Sequence, residues 1–268
     1  MRIFFVGDIV GRPGRSILTE ALPALEKRFD HFDFVVVNCE NAASGKGMTD
    51  KVMDELFALG VSGMTSGNHI WDKNIFYPTL ASETRVLRPA NYPLGVPGAG
   101  YTVLERNGKK IGLLNLLGRV FMPQADCPFR TADAAVLELG KSESVQALPI
   151  LVDFHAEATS EKKALALYLD GRVSAVVGTH THVQTADEQV LPGGTAYISD
   201  AGMTGGHGGI IGVTSETAMP RFLTCMPSKH EVCGLSPRIN AVVIDIDDAS
   251  GRAVDIVRVN EPVPSNLS

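Results

Sequence analysis

The chain has no CxxC pair and no dense cysteine framework; its four cysteines, Cys39, Cys127, Cys225 and Cys233, stand far apart. A disulfide scaffold is thereby excluded, and reduced thiols in a cytoplasmic compartment fit the spacing. No basic segment followed by an apolar one opens the chain, and no apolar run reaches membrane length. The reading is a soluble cytoplasmic protein with no membrane partner. A surplus of Lys and Arg is also missing. The net charge of −6 argues against nonspecific binding of duplex nucleic acid. It leaves room for a small anionic substrate, because a metal can supply positive charge locally. Internal repeats, low-complexity segments and a clear linker are absent too, so residues 1–268 read as a single domain. With 44% hydrophobic and 20% charged residues, the composition is that of a globular chain able to bury its own core. Homo-oligomerisation stays open.

What is present is a succession of short apolar strands ending in polar residues. Arg2 to Val6 reads as a strand ended by Gly7-Asp8. Gly11, Pro13 and Gly14 read as a turn, and Leu18, Leu22, Leu25 and Phe29 follow at helical spacing, with Pro23 expected to kink or divide that helix. Asp33 to Asn38 is a second strand, with Cys39-Glu40-Asn41 just past its end. Thr49 is an expected N-cap for the run Val52, Met53, Leu56 and Phe57, and Gly60 its C-cap. A third strand, Val61 to Thr65, runs into Ser66-Gly67-Asn68-His69. This β-α-β-α-β order predicts a sheet with its site beyond the strands' carboxyl ends.

After an extended connection from Arg88 to Gly100, Asn107-Gly108 signals a hairpin between Tyr101–Glu105 and Lys110–Leu116. Ala132 to Leu148 reads as helix, Leu148 to Phe154 as a strand ending in His155-Ala156-Glu157, and Glu161 to Leu169 as helix. The β-branched run from Val173 to Val177 feeds Gly178-Thr179-His180-Thr181-His182. In extended chain, alternation would put His180 and His182 on one side, as a pair of metal ligands. Thr195 to Ser199 reads as a strand ending in Asp200. The glycine-rich stretch Gly202 to Gly212 is expected to be a mobile or ligand-facing loop. Ile239–Asp245 and Ala253–Val259 read as an antiparallel hairpin.

The strand ends together supply Asp8, Glu40, Asn41, Asn68, His69, His155, His180 and His182. Carboxylate, carboxamide and imidazole gathered from separate strand ends make a metal-site composition. The remaining histidines carry less: His31 lies in a polar turn, His230 reads as solvated, and His207 sits in the glycine-rich stretch. Trp71 and Phe76 read as core. Gly7 to Gly14 does not have dinucleotide-loop spacing, and Asp8 would repel a pyrophosphate.

Gly67-Asn68-His69 after an apolar strand, with Gly178-Thr179-His180-Thr181-His182 late in the chain, resembles the calcineurin-like metallophosphoesterase superfamily. Departures narrow the likeness. Asp8-Ile9-Val10 stands where Asp-x-His is usual, Cys39-Glu40-Asn41 where a bridging Asp is usual, and Ile70-Trp71 separates His69 from Asp72. With Asp153-Phe154-His155-Ala156-Glu157-Ala158 and the run to Met203-Thr204-Gly205, the set resembles the YmdB-like phosphodiesterases of bacteria across nearly the whole chain.

The resemblance implies an α/β (α+β) fold, a four-layer α/β/β/α double β-sandwich. It implies two divalent metal ions: Glu40 bridging, Asp8, Asn41 and His182 completing one site, and Asn68, His155 and His180 the other. The oxygen-rich set Asp8, Glu40 and Asn41 favours iron or manganese, with zinc or magnesium as alternatives. Two divalent ions over two carboxylates leave about +2 for a hydroxide and a diester. The implied activity is hydrolysis of small cyclic nucleotides, 2′,3′-cyclic nucleotides foremost, by attack of a metal-bridging hydroxide. His69 is then the expected general acid, oriented by Asp72. The substrate-binding residues are not legible. Two other readings fit the same residues: a phosphomonoesterase or nuclease on this scaffold, and a regulator that binds a nucleotide with incidental turnover. Cys39 reads as structural, since a metal hydroxide would already supply the nucleophile.

Overall fold

The computed structural model describes residues 1–141 and 148–263. In chain order, β1 (Arg2–Val6) and the short β2 (Asp8–Ile9) lead into α1 (Gly11–Arg28). Then come β3 (Phe34–Asn38), α2 (Asp50–Ala58), β4 (Gly63–Thr65) and, after a 3₁₀ turn at Asn68–Asp72, α3 (Tyr77–Ser82). The hairpin β5 (Tyr101–Arg106) and β6 (Lys109–Leu117) precedes α4 (Pro128–Gly140), β7 (Ile150–His155), α5 (Thr159–Leu169) and β8 (Ala175–Thr179). Finally β9 (Gln189–Val190), β10 (Ala196–Ile198), β11 (Met203–Gly206), α6 (Ser215–Thr224), β12 (Pro237–Ile246) and β13 (Ala253–Pro262) close the chain.

These strands form two mixed sheets. The first has the order β2-β11-β12-β1-β3-β4, with β13 also paired to β12, and the second runs β5-β6-β7-β8-β10-β9. Within them β1, β3 and β4 run parallel, as do β6, β7, β8 and β10. Strand alternation sorts the apolar side chains into layers. Ile3, Phe5, Phe34 and Val36 face Ile111, Leu113, Val177 and Ile198 in a core between the sheets. Phe4, Val6, Val35 and Val37 point the other way, against Ile17, Leu18, Leu22, Val52 and Leu56 of α1 and α2. On the far side Leu114, Leu116, Val152, Phe154 and Tyr197 pack on α4 and α5. The result is the four-layer α/β/β/α sandwich. A fully buried Phe or Leu in such a core contributes about 1.5–3 kcal/mol.

The caps follow the sequence. Thr49 Oγ1 accepts from Val52 N at 3.4 Å, and Gly60, past the end of α2, takes a φ of +91°. Asn107 and Gly108 both have positive φ, +52° and +76°, the turn that suits a right-twisted hairpin. Four expectations change. Gly11, Pro13 and Gly14 form the first turn of α1, where a missing proline amide is harmless, and the helix is not divided at Pro23. The expected Ala132–Leu148 helix starts at Pro128, one turn early, and is assigned to Gly140; residues 142–147 lie outside the described residues, and Leu148 is not helical. The stretch Gly202–Gly212 contains the buried strand β11, paired parallel to β2 and antiparallel to β12. Its glycines serve close backbone approach: a Cβ on Gly206 would meet the Cys233 carbonyl oxygen at 2.3 Å. The helix α6 had no sequence signal, because Ala218 is its one buried residue and Pro220 interrupts its pattern. Among the described residues no helix is long and apolar enough to cross a membrane.

Gly178 is where the second sheet admits no side chain. A Cβ there would stand 1.8 Å from the Ser199 carbonyl oxygen, and backbone cannot yield as a side-chain tip does. Gly178→Ala is expected to destabilise by about 1–3 kcal/mol, the usual cost of overpacking. A melting temperature lowered by several degrees would show it; an unchanged one would contradict this account of the sheet.

Candidate metal centre

The carboxyl ends of the parallel strands in both sheets meet at one place. Asp8 follows β1, Glu40 and Asn41 follow β3, Asn68 follows β4, His155 ends β7, and His180 and His182 follow β8. Glu40 Oε1 lies 3.1 Å from His155 Nε2 and 3.1 Å from Asn41 Nδ2. On the first side His180 Nδ1 stands 3.0 Å from His155 Nε2. On the second, Asn41 Nδ2 stands 3.1 Å from His182 Nε2. One carboxylate oxygen therefore touches a side chain of each of two groups. Ligand atoms of Glu40, His155 and His180 all lie within 4.8 Å of one another.

Two further observations fit a metal here. Asp8 Oδ1 and Asn68 Oδ1 are buried without any hydrogen-bond partner, a costly state for polar oxygens unless a cation completes them. A Cβ on Gly67 would meet His155 Nε2 at 2.2 Å and Glu40 Oε2 at 2.4 Å, so glycine keeps the cradle open.

The charges point the same way. Burial acts to raise the Glu40 pKa, but the His155 charge and hydrogen bond outweigh it and hold the carboxyl well below its usual range. For His155, burial opposes the charge, and Glu40 prevails, raising the imidazole to about 9. His180 is pushed down to about 3, by burial first and by the neighbouring His155 second. Burial raises Asp8 to about 6 against the pull of His182 and His155. Glu40 and His155 thus each favour the charged form of the other, and a cation held by this pair would meet an ionised carboxylate.

The model of the YmdB-like protein family matches residues 4–259. The chain belongs to that family. It is 48% identical over 259 residues to the 2′,3′-cyclic-nucleotide 2′-phosphodiesterase of Bacillus subtilis (strain 168), covering 97% of this chain and 96% of the relative. A crystal structure of a hypothetical protein from Thermus thermophilus superposes with a TM-score of 0.89 at 43% identity, over 98% of this chain and all of that one. A crystal structure titled as a novel phosphatase of Mycoplasma pneumoniae gives 0.88 at 33% identity, over 98% and 95%.

In this YmdB-like chain the two late histidines do not follow strand alternation. β8 ends at Thr179, and His180 and His182 take left-handed backbone, φ +101° and +65°. Tertiary hydrogen bonds hold them there. Asp200, 1% exposed, accepts from Thr181 N at 3.1 Å and Thr181 Oγ1 at 2.8 Å, and its other oxygen accepts from Gly202 N at 2.8 Å. Its charge is balanced by the buried Lys162, 2.7 Å away. His180 N donates to Asp8 Oδ2 at 3.2 Å, and His182 Nδ1 donates to the Ile211 carbonyl at 2.9 Å, leaving Nε2 for the site.

His155 is held by a relay that also joins the sheets. Thr179 Oγ1 lies 2.9 Å from His155 Nδ1 and donates to Asp153 Oδ1 at 2.7 Å. The Asp153 carboxyl accepts from Asn38 Nδ2 at 2.9 Å and from Thr65 Oγ1 across the sandwich. Burial raises its pKa, against these hydrogen bonds. Such outer partners fix ring orientation at metal sites. Asp153 stood in the sequence two residues before His155, on the same strand face; Asp200 stood at a strand end. Lys162 and Thr179 had no signal, since a buried lysine and a buried threonine become functional only through their partners.

His69 sits beside the centre rather than within its donor groups. Its N–H donates to Glu40 Oε2 at 3.0 Å, and its Nδ1 lies 3.2 Å from Asp72 Oδ2. Cys39 is fully buried, and burial first, then Glu40, push its thiol far up, which leaves no thiolate for attack. His31 and His230 are exposed, and His207 Nε2 turns back to the Met203 carbonyl at 3.1 Å.

Asp200→Asn strands the buried Lys162 charge, so stability should fall by about 3–5 kcal/mol. Thr181→Val keeps that ion pair while deleting a bond to the ligand segment. It should weaken metal binding by about 10- to 100-fold, the usual worth of such outer partners, with the melting temperature of the metal-free protein nearly kept. Calorimetric metal titration checks it; unchanged affinity in Thr181→Val would remove the Thr181 Oγ1–Asp200 bond from the ligand-positioning role.

Proposed function

We propose that this chain, as a single domain, is a dinuclear metal-dependent phosphodiesterase of the cytoplasm that opens 2′,3′-cyclic nucleotides. The observation that carries the reading is Glu40 Oε1, 3.1 Å from His155 Nε2 of one group and 3.1 Å from the side-chain amide of Asn41 of the other. Asp8, Asn41 and His182 would hold one ion, Asn68, His155 and His180 the other, and Glu40 both. Iron or manganese suits the oxygen-rich side. When bound, such a pair activates water and neutralises phosphoryl charge. The name of the Bacillus subtilis relative supports the substrate class.

The protein groups supply the rest. Attack of water on phosphorus forms one P–O bond and breaks the bond to the ribose 2′-oxygen. That oxygen leaves as an alkoxide unless it is protonated as it departs. His69 is the proposed donor: Asp72 holds Nδ1, which fixes the ring with Nε2 free to give its proton. A side chain 27% exposed keeps access both to the centre and to solvent, from which the proton is recovered.

Two expectations test this. Glu40→Ala should lose both metals by elemental analysis, whereas His155→Ala should mainly deplete one; full occupancy in Glu40→Ala would end the bridging assignment. His69→Ala should lose about 10²- to 10⁴-fold on a 2′,3′-cyclic nucleotide, the usual worth of general acid catalysis. On a nitrophenyl phosphodiester, whose leaving group needs no proton, the same variant should lose far less. Equal losses with both metals retained would assign His69 to binding instead. Turnover confined to phosphomonoesters would favour the phosphatase reading.

A further inference from the structure

The cleft that opens on Glu40, His69 and His182 has a volume of about 1290 Å³. Pockets that enclose one small ligand usually span about 300–1,000 Å³. Away from the ligand residues its wall carries Lys46, Lys73 and Arg221, a gathering of cations in a chain of net charge −6. Among the described residues none of the three forms an ion pair, as Arg28, Arg85 and Arg172 do elsewhere on the surface. Of the carboxylates on the cleft, Glu40 belongs to the centre and Asp72 to His69, which leaves Glu231. On α6, next to Arg221, Phe222 lines the same cleft while 70% exposed, and Ile211 lines it at 52%.

A cyclic mononucleotide brings one phosphate, which the metal centre takes. It has no second anion for Lys46, Lys73 or Arg221, and fills part of the cleft. Cations that track a backbone beside an exposed aromatic surface are the chemistry of single-stranded nucleic acid: lysine and arginine meet phosphates, and the ring stacks on bases. We propose that the substrate is the 3′ end of a short single-stranded RNA, its terminal 2′,3′-cyclic phosphate at the centre. The bases lie against Phe222 and Ile211, and upstream phosphates meet Lys46, Lys73 and Arg221. This rests on the phosphodiesterase reading above. It also fixes the class of reaction that supplies the substrate. Such ends form when a ribose 2′-oxygen attacks the adjacent phosphorus and expels the next nucleotide's 5′-oxygen, which takes up the proton. The chain would then act after RNA cleavage by internal transesterification, converting each cyclic end to a 3′-phosphate.

The test uses the metal-loaded protein with 2′,3′-cyclic AMP and with a tetranucleotide ending in a 2′,3′-cyclic phosphate. Binding is measured separately, by fluorescence anisotropy of a 5′-labelled tetranucleotide ending in a 3′-phosphate, in competition with 3′-AMP. The tetranucleotide should have a kcat/KM at least tenfold higher. Its affinity should fall with salt at a log–log slope of about −2, three phosphate contacts at roughly −0.7 each for a single strand. K46A/R221A should bring the ratio of the two kcat/KM values towards one. Phe222→Ala should weaken tetranucleotide binding roughly fivefold or more. Equal kcat/KM on both substrates, or tetranucleotide binding no tighter than 3′-AMP and insensitive to salt, overturns the inference and leaves the phosphodiesterase reading standing. No turnover of either by protein holding two metals overturns that reading instead, and the anisotropy measurements then decide the cleft alone.

Discussion

A carboxylate buried beyond the ends of two sheets is the constraint around which this molecule is arranged. Glu40 is 1% exposed, and a charge taken out of water must be answered at close range. Three elements answer it: the His155 imidazole from the second sheet, the His69 N–H from the 3₁₀ turn after β4, and the Asn41 amide beside it. Those partners arrive from different strands, so the carboxylate is satisfied only when both sheets are in register. The same geometry suits an ion pair of higher charge. The orphaned oxygens of Asp8 and Asn68 add donors that a bound cation would complete.

The seam between the sheets is itself polar at this end. Asp153 ties β3, β4, β7 and β8 together through Asn38, Thr65 and Thr179, and Asn115 Oδ1 accepts from Ser66 N at 3.0 Å. Elsewhere the sheets meet through Ile, Leu, Val and Phe. Apolar packing fixes the layers, and the hydrogen-bonded end fixes where each ligand points, because directional bonds specify orientation as hydrophobic contact does not. The placing of the ligands at the centre thus follows from the fold, while α6 presents the exposed Phe222 on the wall of the cleft.

Most of the layers were legible because the parallel strands are short, β-branched and bounded by turn residues, and because each ends in a polar group with no role in a core. The metal-ligand candidates were legible for the same reason: Asp8, Glu40, Asn68 and His155 stand at strand ends that topology brings together. What was not legible depended on contacts across the chain. The placing of His180 and His182 comes from left-handed backbone held by Asp200 and Asp8, not from strand alternation. Met203–Gly206 lacks side chains of strand character and is a strand because β2 and β12 flank it. The helix α6 buries one side chain, so periodicity had nothing to report.

The proposed dinuclear centre depends on one carboxylate, Glu40, serving two ions. Crystals of the protein loaded with manganese, or as isolated with its native metal, would decide it by anomalous diffraction at the metal's absorption edge. Two peaks of comparable height, one on the Asn41 and His182 side of Glu40 and one on the His155 and His180 side, are the predicted result. A single peak, or two peaks neither of which touches Glu40, would contradict it.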